Sequence, residues 1–196
     1  MSQKGKFIVF YGINNLGKST QALKLVEKIK TEGEKAEYLK YPIYEMKPSG
    51  LLINNYLRED NKFSLTRKEA QILYTMNRFQ YAPFLKEKLE QGINIISEDY
   101  VGTGLAWGIT TGVKESFLKE MNKDLLKEDL AFLFDGERFT ESEEKNHKHE
   151  TNSELLNKCR EVHLKLGREF NWKTINANQS IEEIHNRLWQ EVKKII

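Results

Sequence analysis

Apolar residues along this chain fall into two rhythms. Short continuous runs occur at Phe7-Ile8-Val9-Phe10-Tyr11, Ile93-Asn94-Ile95-Ile96-Ser97 and Leu130-Ala131-Phe132-Leu133-Phe134. Runs of this length, wholly apolar in the first and third and mostly so in the second, predict strands buried on both faces. Glu37 to Lys40, stopped by Tyr41-Pro42, and Trp172 to Ile175 predict two shorter strands. Elsewhere the spacing changes to three and four. Ala22, Leu23, Leu25, Val26 and Ile29 predict a helix over Lys18 to Thr31, ended by Gly33. A short helix is expected over Leu51 to Arg58 and a long one from Leu65-Thr66 to Glu90. In the long one, Thr66 and Glu69 have capping-box spacing, and Ile72, Leu73, Met76 and Phe79 form an apolar stripe. Pro83 predicts a kink or break there, and Val101-Gly102-Thr103-Gly104 a glycine-rich turn. Further helices are expected over Lys114 to Asn122 and Glu154 to Phe170. Ser180 caps a last one, with Ile181, Ile184, Leu188, Val192 and Ile195 on one face.

Strand, helix and strand at this spacing imply parallel pairs with right-handed crossovers. Their alternation predicts an α/β domain whose largely parallel sheet is covered on both faces. Ligands of such sheets bind beyond the carboxyl ends of the strands. That edge should collect Gly12 to Ser19, Tyr41-Pro42, Glu98 to Tyr100 and Asp135.

The chemistry at that edge begins with Gly12-Ile13-Asn14-Asn15-Leu16-Gly17-Lys18-Ser19, which follows G-x-x-x-x-G-K-S between a strand and a helix. This is the P-loop: glycines free the backbone so that its N–H groups cradle phosphates at a helix N-terminus. Gly12, Asn14, Asn15, Leu16 and Gly17 are the expected cradle, with Lys18, Ser19 and Thr20 completing it. Lys18 reaches the outer phosphates and the Ser19 hydroxyl can ligate Mg²⁺. Glu98 and Asp99 end a buried strand, where a carboxylate can hold the metal or accept a proton. Gln71, Tyr74 and Arg78 share a face of the long helix, distinct from its apolar stripe. A tyrosine there can stack on a base and an arginine bond its edge, or the face can simply be solvated.

Composition narrows the partners. The chain has 196 residues, 39% hydrophobic and 31% charged, with a net charge of +2, and suits one globular domain over residues 1–196. Mixed signs argue against a nucleic acid polymer as partner. The one cysteine, Cys159, excludes an intrachain disulfide and fits a reducing compartment. No run is long enough for a membrane span, and the start is too polar for a secretory signal, so a cytoplasmic protein with no membrane partner is expected. Residues 136–153 are strongly polar and carry Arg138, Lys145, His147, Lys148 and His149. They read either as a solvated charge run or as a cationic lid over transferring phosphates.

Taken in order, these features resemble the thymidylate kinase family of P-loop nucleoside monophosphate kinases. The resemblance rests on the P-loop followed by Thr20-Gln21, the aromatic-proline pair Tyr41-Pro42, and Tyr74 with Asn77-Arg78. It continues through Pro83 and Lys86-Glu87-Lys88-Leu89, Glu98-Asp99-Tyr100 in the place of Asp-Arg-Tyr, and Asn176 to His185. It implies a P-loop three-layer fold, a five-stranded parallel sheet between helices, often in a homodimer. It also implies transfer of the γ-phosphoryl of ATP to thymidylate with Mg²⁺. Tyr74 would stack on the acceptor base and Arg78 bond it, with Tyr41, Gln71, Tyr100 and Thr103 on the same wall. Lys18, Glu98 and Asp99 would serve catalysis, Ser19 and Glu98 the metal, and 136–153 the lid.

The chain departs from that pattern at four positions. Asn14 stands where the family has an acidic residue, and Asn15 where some members have a catalytic arginine. The lid cations, Arg138 and Lys148 foremost, would then supply that charge. Asp99 replaces the arginine that binds the acceptor phosphate. Tyr44 replaces a second arginine, for which nearby Lys47 is the candidate substitute. Two other readings stay open: a kinase for another acceptor such as a deoxynucleoside, with Glu98 or Asp99 as base, and a non-catalytic nucleotide-binding module.

Overall fold

The computed structural model describes residues 4–58, 61–139 and 153–196. Five strands form one sheet: β1 (Phe7–Tyr11), β2 (Ala36–Lys40), β3 (Asn94–Glu98), β4 (Leu130–Asp135) and β5 (Lys173–Asn176). Their order is β2-β3-β1-β4-β5, and every neighbouring pair is parallel. β1 lies in the middle and all its residues are buried, which is why it is apolar at consecutive positions. Phe10 packs edge-on against Phe132 of β4 and tilted against Phe134. The register levels the carboxyl ends: Phe10 and Lys40 both pair with Glu98, and Tyr11 pairs with Leu133.

Helices fill the connections. α1 (Lys18–Thr31) buries Ala22, Leu25, Val26 and Ile29 and leaves Leu23 exposed, because one residue further along the chain points about 100° away. α2 (Ser49–Arg58) precedes α3 (Arg67–Glu90). α4 (Val101–Thr110) and α5 (Glu115–Asn122) separate β3 from β4, and α6 (Ser153–Glu169) leads into β5. α7 (Ile181–Val192) starts at Ser180 with the capping box formed by Glu183 and packs on α1.

Two expectations about α3 need correction. Of the kink or break expected at Pro83, the break does not occur; the helix runs through to Glu90. The carbonyl that a proline frees belongs to the residue four earlier, Phe79, and both residues are exposed, where water can satisfy it. The apolar stripe also faces the core only in part: Leu73 packs against the cluster of Ile53, Tyr56, Leu57 and Ala70. Ile72 and Phe79 are exposed, whereas the buried face carries Gln71, Thr75, Asn77 and Arg78. The Thr66–Glu69 capping box is present as expected.

Val101 to Gly104 is likewise not a turn but the start of α4. Its glycines provide clearance. A Cβ on Gly102 would come within 2.5 Å of the Trp172 ring and 2.8 Å of the Tyr11 ring. One on Gly104 would sit 3.0 Å from the Arg78 guanidinium. Among the described residues no helix is long and apolar enough to cross a membrane.

Candidate active site

The P-loop turns directly off β1. Gly12 has φ 131, and a Cβ there would lie 2.5 Å from the Phe134 carbonyl oxygen, so only glycine fits. Gly17, at φ 75, is the N-cap of α1 and offers no side-chain cap. The first turn of α1 therefore presents its amides and the positive end of its dipole to whatever the loop holds. Lys18 is buried, and its Nζ donates to the carbonyl oxygens of Gly12 (3.0 Å) and Ile13 (2.8 Å). Every residue from Asn14 to Thr20 lines a cavity of about 730 Å³; Gly12 shapes the loop from behind.

The β3 end contributes the acidic pair. Glu98 Oε2 accepts from Ser19 Oγ at 2.5 Å and from the Tyr38 hydroxyl at 2.8 Å, and Oε1 lies 3.1 Å from Lys40 Nζ. Burial alone would raise its pKa. Lys18, Lys40 and the two donated hydrogen bonds outweigh burial and hold it below the usual carboxylate value. Asp99 goes the other way. It has φ 62, its Oδ1 accepts from Thr103 Oγ1 at 2.8 Å, and it lies 4.0 Å from Lys18 Nζ. Burial raises its pKa, with Glu98 adding to the rise against the pull of Lys18.

Ser19 and Glu98 suit a hard divalent cation. Their oxygens touch, and Glu98 is ionised at neutral pH. Among the described residues no cluster of three or more His, Cys, Asp or Glu side chains could hold a metal unaided. A cation here would need phosphate and water oxygens for the rest of its shell, which is the habit of Mg²⁺.

The opposite wall is the polar face of α3. Arg78 is buried; its Nε donates to Asn122 Oδ1 (3.2 Å), Nη2 to Thr75 Oγ1 (3.2 Å) and Nη1 to the Tyr100 carbonyl (3.4 Å). Burial lowers its pKa to about 10. Gln71, Tyr74, Tyr41, Tyr100 and Thr103 line the same cavity, so the structure brings together most of the expected acceptor residues. Gln71 Oε1 and the hydroxyls of Tyr41 and Tyr100 are buried without a hydrogen-bond partner among the described residues. Asn77 fixes the Tyr41 loop to α3: its Nδ2 donates to the Ile43 carbonyl and its Oδ1 accepts from the Ile43 amide, both at 2.8 Å.

Lys47 is a correction. It is exposed and absent from the cavity lining, because its stretch of chain is held by its carbonyl, which accepts from Gln80 Nε2. The cation on that wall is instead Arg58, which lies over the Tyr44 ring at 4.7 Å. Sequence reasoning missed Arg58, and Trp107 with it. It also missed the stretch after β5, where Ala177, Gln179 and Ser180 line the cavity. The rule that ligands gather at strand ends, applied to β5 as it was to β1, would have found that stretch.

Asn178 ties the stretch to the start of the polar segment. Its Oδ1 accepts from the Glu137 amide (2.7 Å) and its Nδ2 donates to the Glu137 carbonyl (2.9 Å). Arg138 Nε donates to the Asn14 carbonyl (3.3 Å) and the Phe139 amide to the Asn15 carbonyl (2.9 Å), so this segment departs from the P-loop itself. Lys148, with Lys145, His147 and His149, lies outside the described residues.

Comparison with known proteins agrees with this arrangement. The thymidylate kinase family model matches residues 10–188. Thymidylate kinase from Danio rerio is 33% identical over 202 residues, covering 99% of this chain and 92% of the relative. The Homo sapiens thymidylate kinase is 31% identical over 193 residues, covering 94% and 88%. The solved thymidylate kinase from Candida albicans superposes with a TM-score of 0.81 at 23% identity, covering 99% of this chain and 93% of that one, a likeness of fold. The matched span includes the P-loop, the α3 wall and the strand-end carboxylates, and the chain therefore belongs to the thymidylate kinase family.

Proposed function

We propose that this chain transfers the γ-phosphoryl group of ATP to thymidylate, giving dTDP and ADP, as one P-loop kinase domain. The observation that carries the reading is that the phosphate cradle and the buried polar face of α3 open into one cavity. A donor bound at Lys18 and a base bound at Arg78 would face each other there. Catalysis would then be mostly positioning and charge stabilisation.

In this reading Gly12 to Thr20 hold the donor's phosphates. Lys18 leaves its carbonyl partners to follow the charge that develops on the γ-phosphoryl oxygens. Ser19 and Glu98 would hold Mg²⁺, which when bound neutralises charge on the phosphates. Tyr74 stacks on the acceptor base, Arg78 donates to a base carbonyl, and Gln71 offers its unpaired Oε1 to a ring N–H. Tyr41, Tyr100 and Thr103 close the wall, and Arg58 and Lys40, which line the same cavity, are the nearest cations to an acceptor phosphate there. Residues 136–153 act as the lid, with Arg138 at its root on the P-loop.

The outward apolar side chains of α3, Ile72, Phe79 and Phe84, support a homodimer. The buried free thiol of Cys159 suits a cytoplasmic setting. A coupled assay of ADP release with dTMP as acceptor tests the function. Turnover that requires dTMP and Mg²⁺ supports it, and ATP binding without transfer favours the nucleotide-binding module.

A further inference from the structure

The groups around Lys18 have the wrong charge for an acceptor that is only an anion. The cations lining the cavity, among the described residues, are Lys18, Lys40, Arg58 and Arg78. Lys18 belongs to the donor's phosphates. Lys40 faces Glu98, Arg58 covers the Tyr44 ring, and Arg78 is tied to Asn122 and Thr75. What lies beside Lys18 is Asp99, with its Oδ1 at 4.0 Å. A phosphate dianion brought there meets a carboxylate; a hydroxyl meets a hydrogen-bond acceptor.

Asp99 is held for this position. Its backbone is in the left-handed region, at φ 62, which aspartate adopts more readily than most side chains. Thr103, one helical turn on, donates to Oδ1, and Asp99 lines the cavity. The Arg78 guanidinium bonds the carbonyl of Tyr100, the residue next to Asp99, and both Arg78 and Asp99 line the cavity. The buried, unpartnered Tyr41 and Tyr100 hydroxyls and Gln71 Oε1 offer polar contacts to a ligand there.

We propose that the same cavity also phosphorylates the hydroxymethyl group of an unphosphorylated pyrimidine deoxynucleoside, with Asp99 as general base. This rests on the kinase reading above. The hydroxyl oxygen forms a bond to the γ-phosphorus of ATP as the bond from that phosphorus to the β,γ-bridging oxygen breaks. The bridging oxygen leaves with the electron pair on ADP, and the hydroxyl proton passes to the Asp99 carboxylate. Lys18, on the far side of the carboxylate, stays with the phosphoryl oxygens. Asp99 lines the cavity beside the phosphate cradle, where its carboxylate can meet an acceptor hydroxyl.

The test uses the full chain with ATP and Mg²⁺ and either thymidine or dTMP, with products separated by anion exchange. Thymidine should yield dTMP, and dTMP should yield dTDP. Asp99→Asn should slow the thymidine reaction by at least about 100-fold while dTMP turnover rises, because a repelling charge is gone. Asparagine tolerates the left-handed backbone and can still accept from Thr103, and an unchanged melting curve checks the fold. Turnover of dTMP with none of thymidine in the wild type would overturn the proposal, as would an equal loss of both activities in Asp99→Asn. Turnover of neither acceptor would overturn the kinase reading and this proposal with it.

Discussion

Ser19 Oγ donates to Glu98 Oε2 at 2.5 Å, and this bond joins the first turn of α1 to the end of β3. It holds together, beside the P-loop, the two oxygens that would ligate Mg²⁺ in the proposed reaction. Ser19→Ala removes one of them and leaves Glu98 to Lys40 and Tyr38. The Mg²⁺ concentration for half-maximal turnover should rise by about 10- to 100-fold, as when a partner of a metal ligand is lost. Turnover titrated against Mg²⁺ checks this, and added chelator should abolish wild-type activity.

Arg78 carries a buried charge with neutral hydrogen-bond partners. Burial disfavours its charge, its pKa falls to about 10, and the partners named above are neutral. A buried charge can often be replaced by an apolar residue of similar length without loss of stability. Arg78→Met should therefore keep or raise Tm. Its KM for dTMP should rise by about 10- to 100-fold, the cost of one charge-assisted hydrogen bond of about 1.5–3 kcal/mol. Calorimetric melting and steady-state kinetics on the same preparation separate the two effects.

His163 gives the fold a pH dependence. It is 1% exposed, its Nδ1 is bonded to the Cys159 carbonyl at 2.9 Å, and its Nε2 has no partner among the described residues. Burial lowers its pKa to about 4, against an ordinary 6.5. The unfolded chain then takes up this proton at higher pH than the folded one. The stability held by the neutral ring is complete above pH 6.5 and is lost as pH falls towards 4, about 3 kcal/mol in all. Urea unfolding at pH 7.5 and pH 5, compared with His163→Leu, should give a smaller difference in the variant.

Gly102 tests the packing that positions α4. A methyl group there meets Trp172 and Tyr11 rings that are themselves stacked 4.1 Å apart. Gly102→Ala should destabilise by about 1–3 kcal/mol through overpacking. It should disturb the Asp99–Tyr100 turn at the head of the helix, and lower kcat more than ATP affinity. Chemical denaturation and ATP titration measure both.

Local signals in the sequence proved reliable. The strand into the P-loop, the helix after it, and the caps at Thr66 and Ser180 depend on neighbours within a few residues. Each could be read before any tertiary contact was known. What could not be read depends on what an element packs against. The hydrophobic pattern of α3 points Ile72 and Phe79 inward, yet the fold turns Gln71 and Arg78 in, because that face borders a ligand cavity rather than a core. Gly102 and Gly104 looked like turn residues, but they leave room for Trp172 and Arg78, residues far away in sequence. Lys47 lay near the site along the chain and away from it in space. Arg58 carried no motif and was found only as the cation over Tyr44.

The most direct test is a product assay with purified chain, ATP, Mg²⁺ and dTMP, run beside Lys18→Ala. Lys18 is the cation of the phosphate cradle, oriented by the carbonyls of Gly12 and Ile13. The account predicts dTDP and ADP in equal amounts from the wild type, and at least about a 100-fold lower rate from the variant. A well-folded wild type that binds ATP but forms no dTDP, or a Lys18→Ala variant that turns over as fast as the wild type, would contradict it.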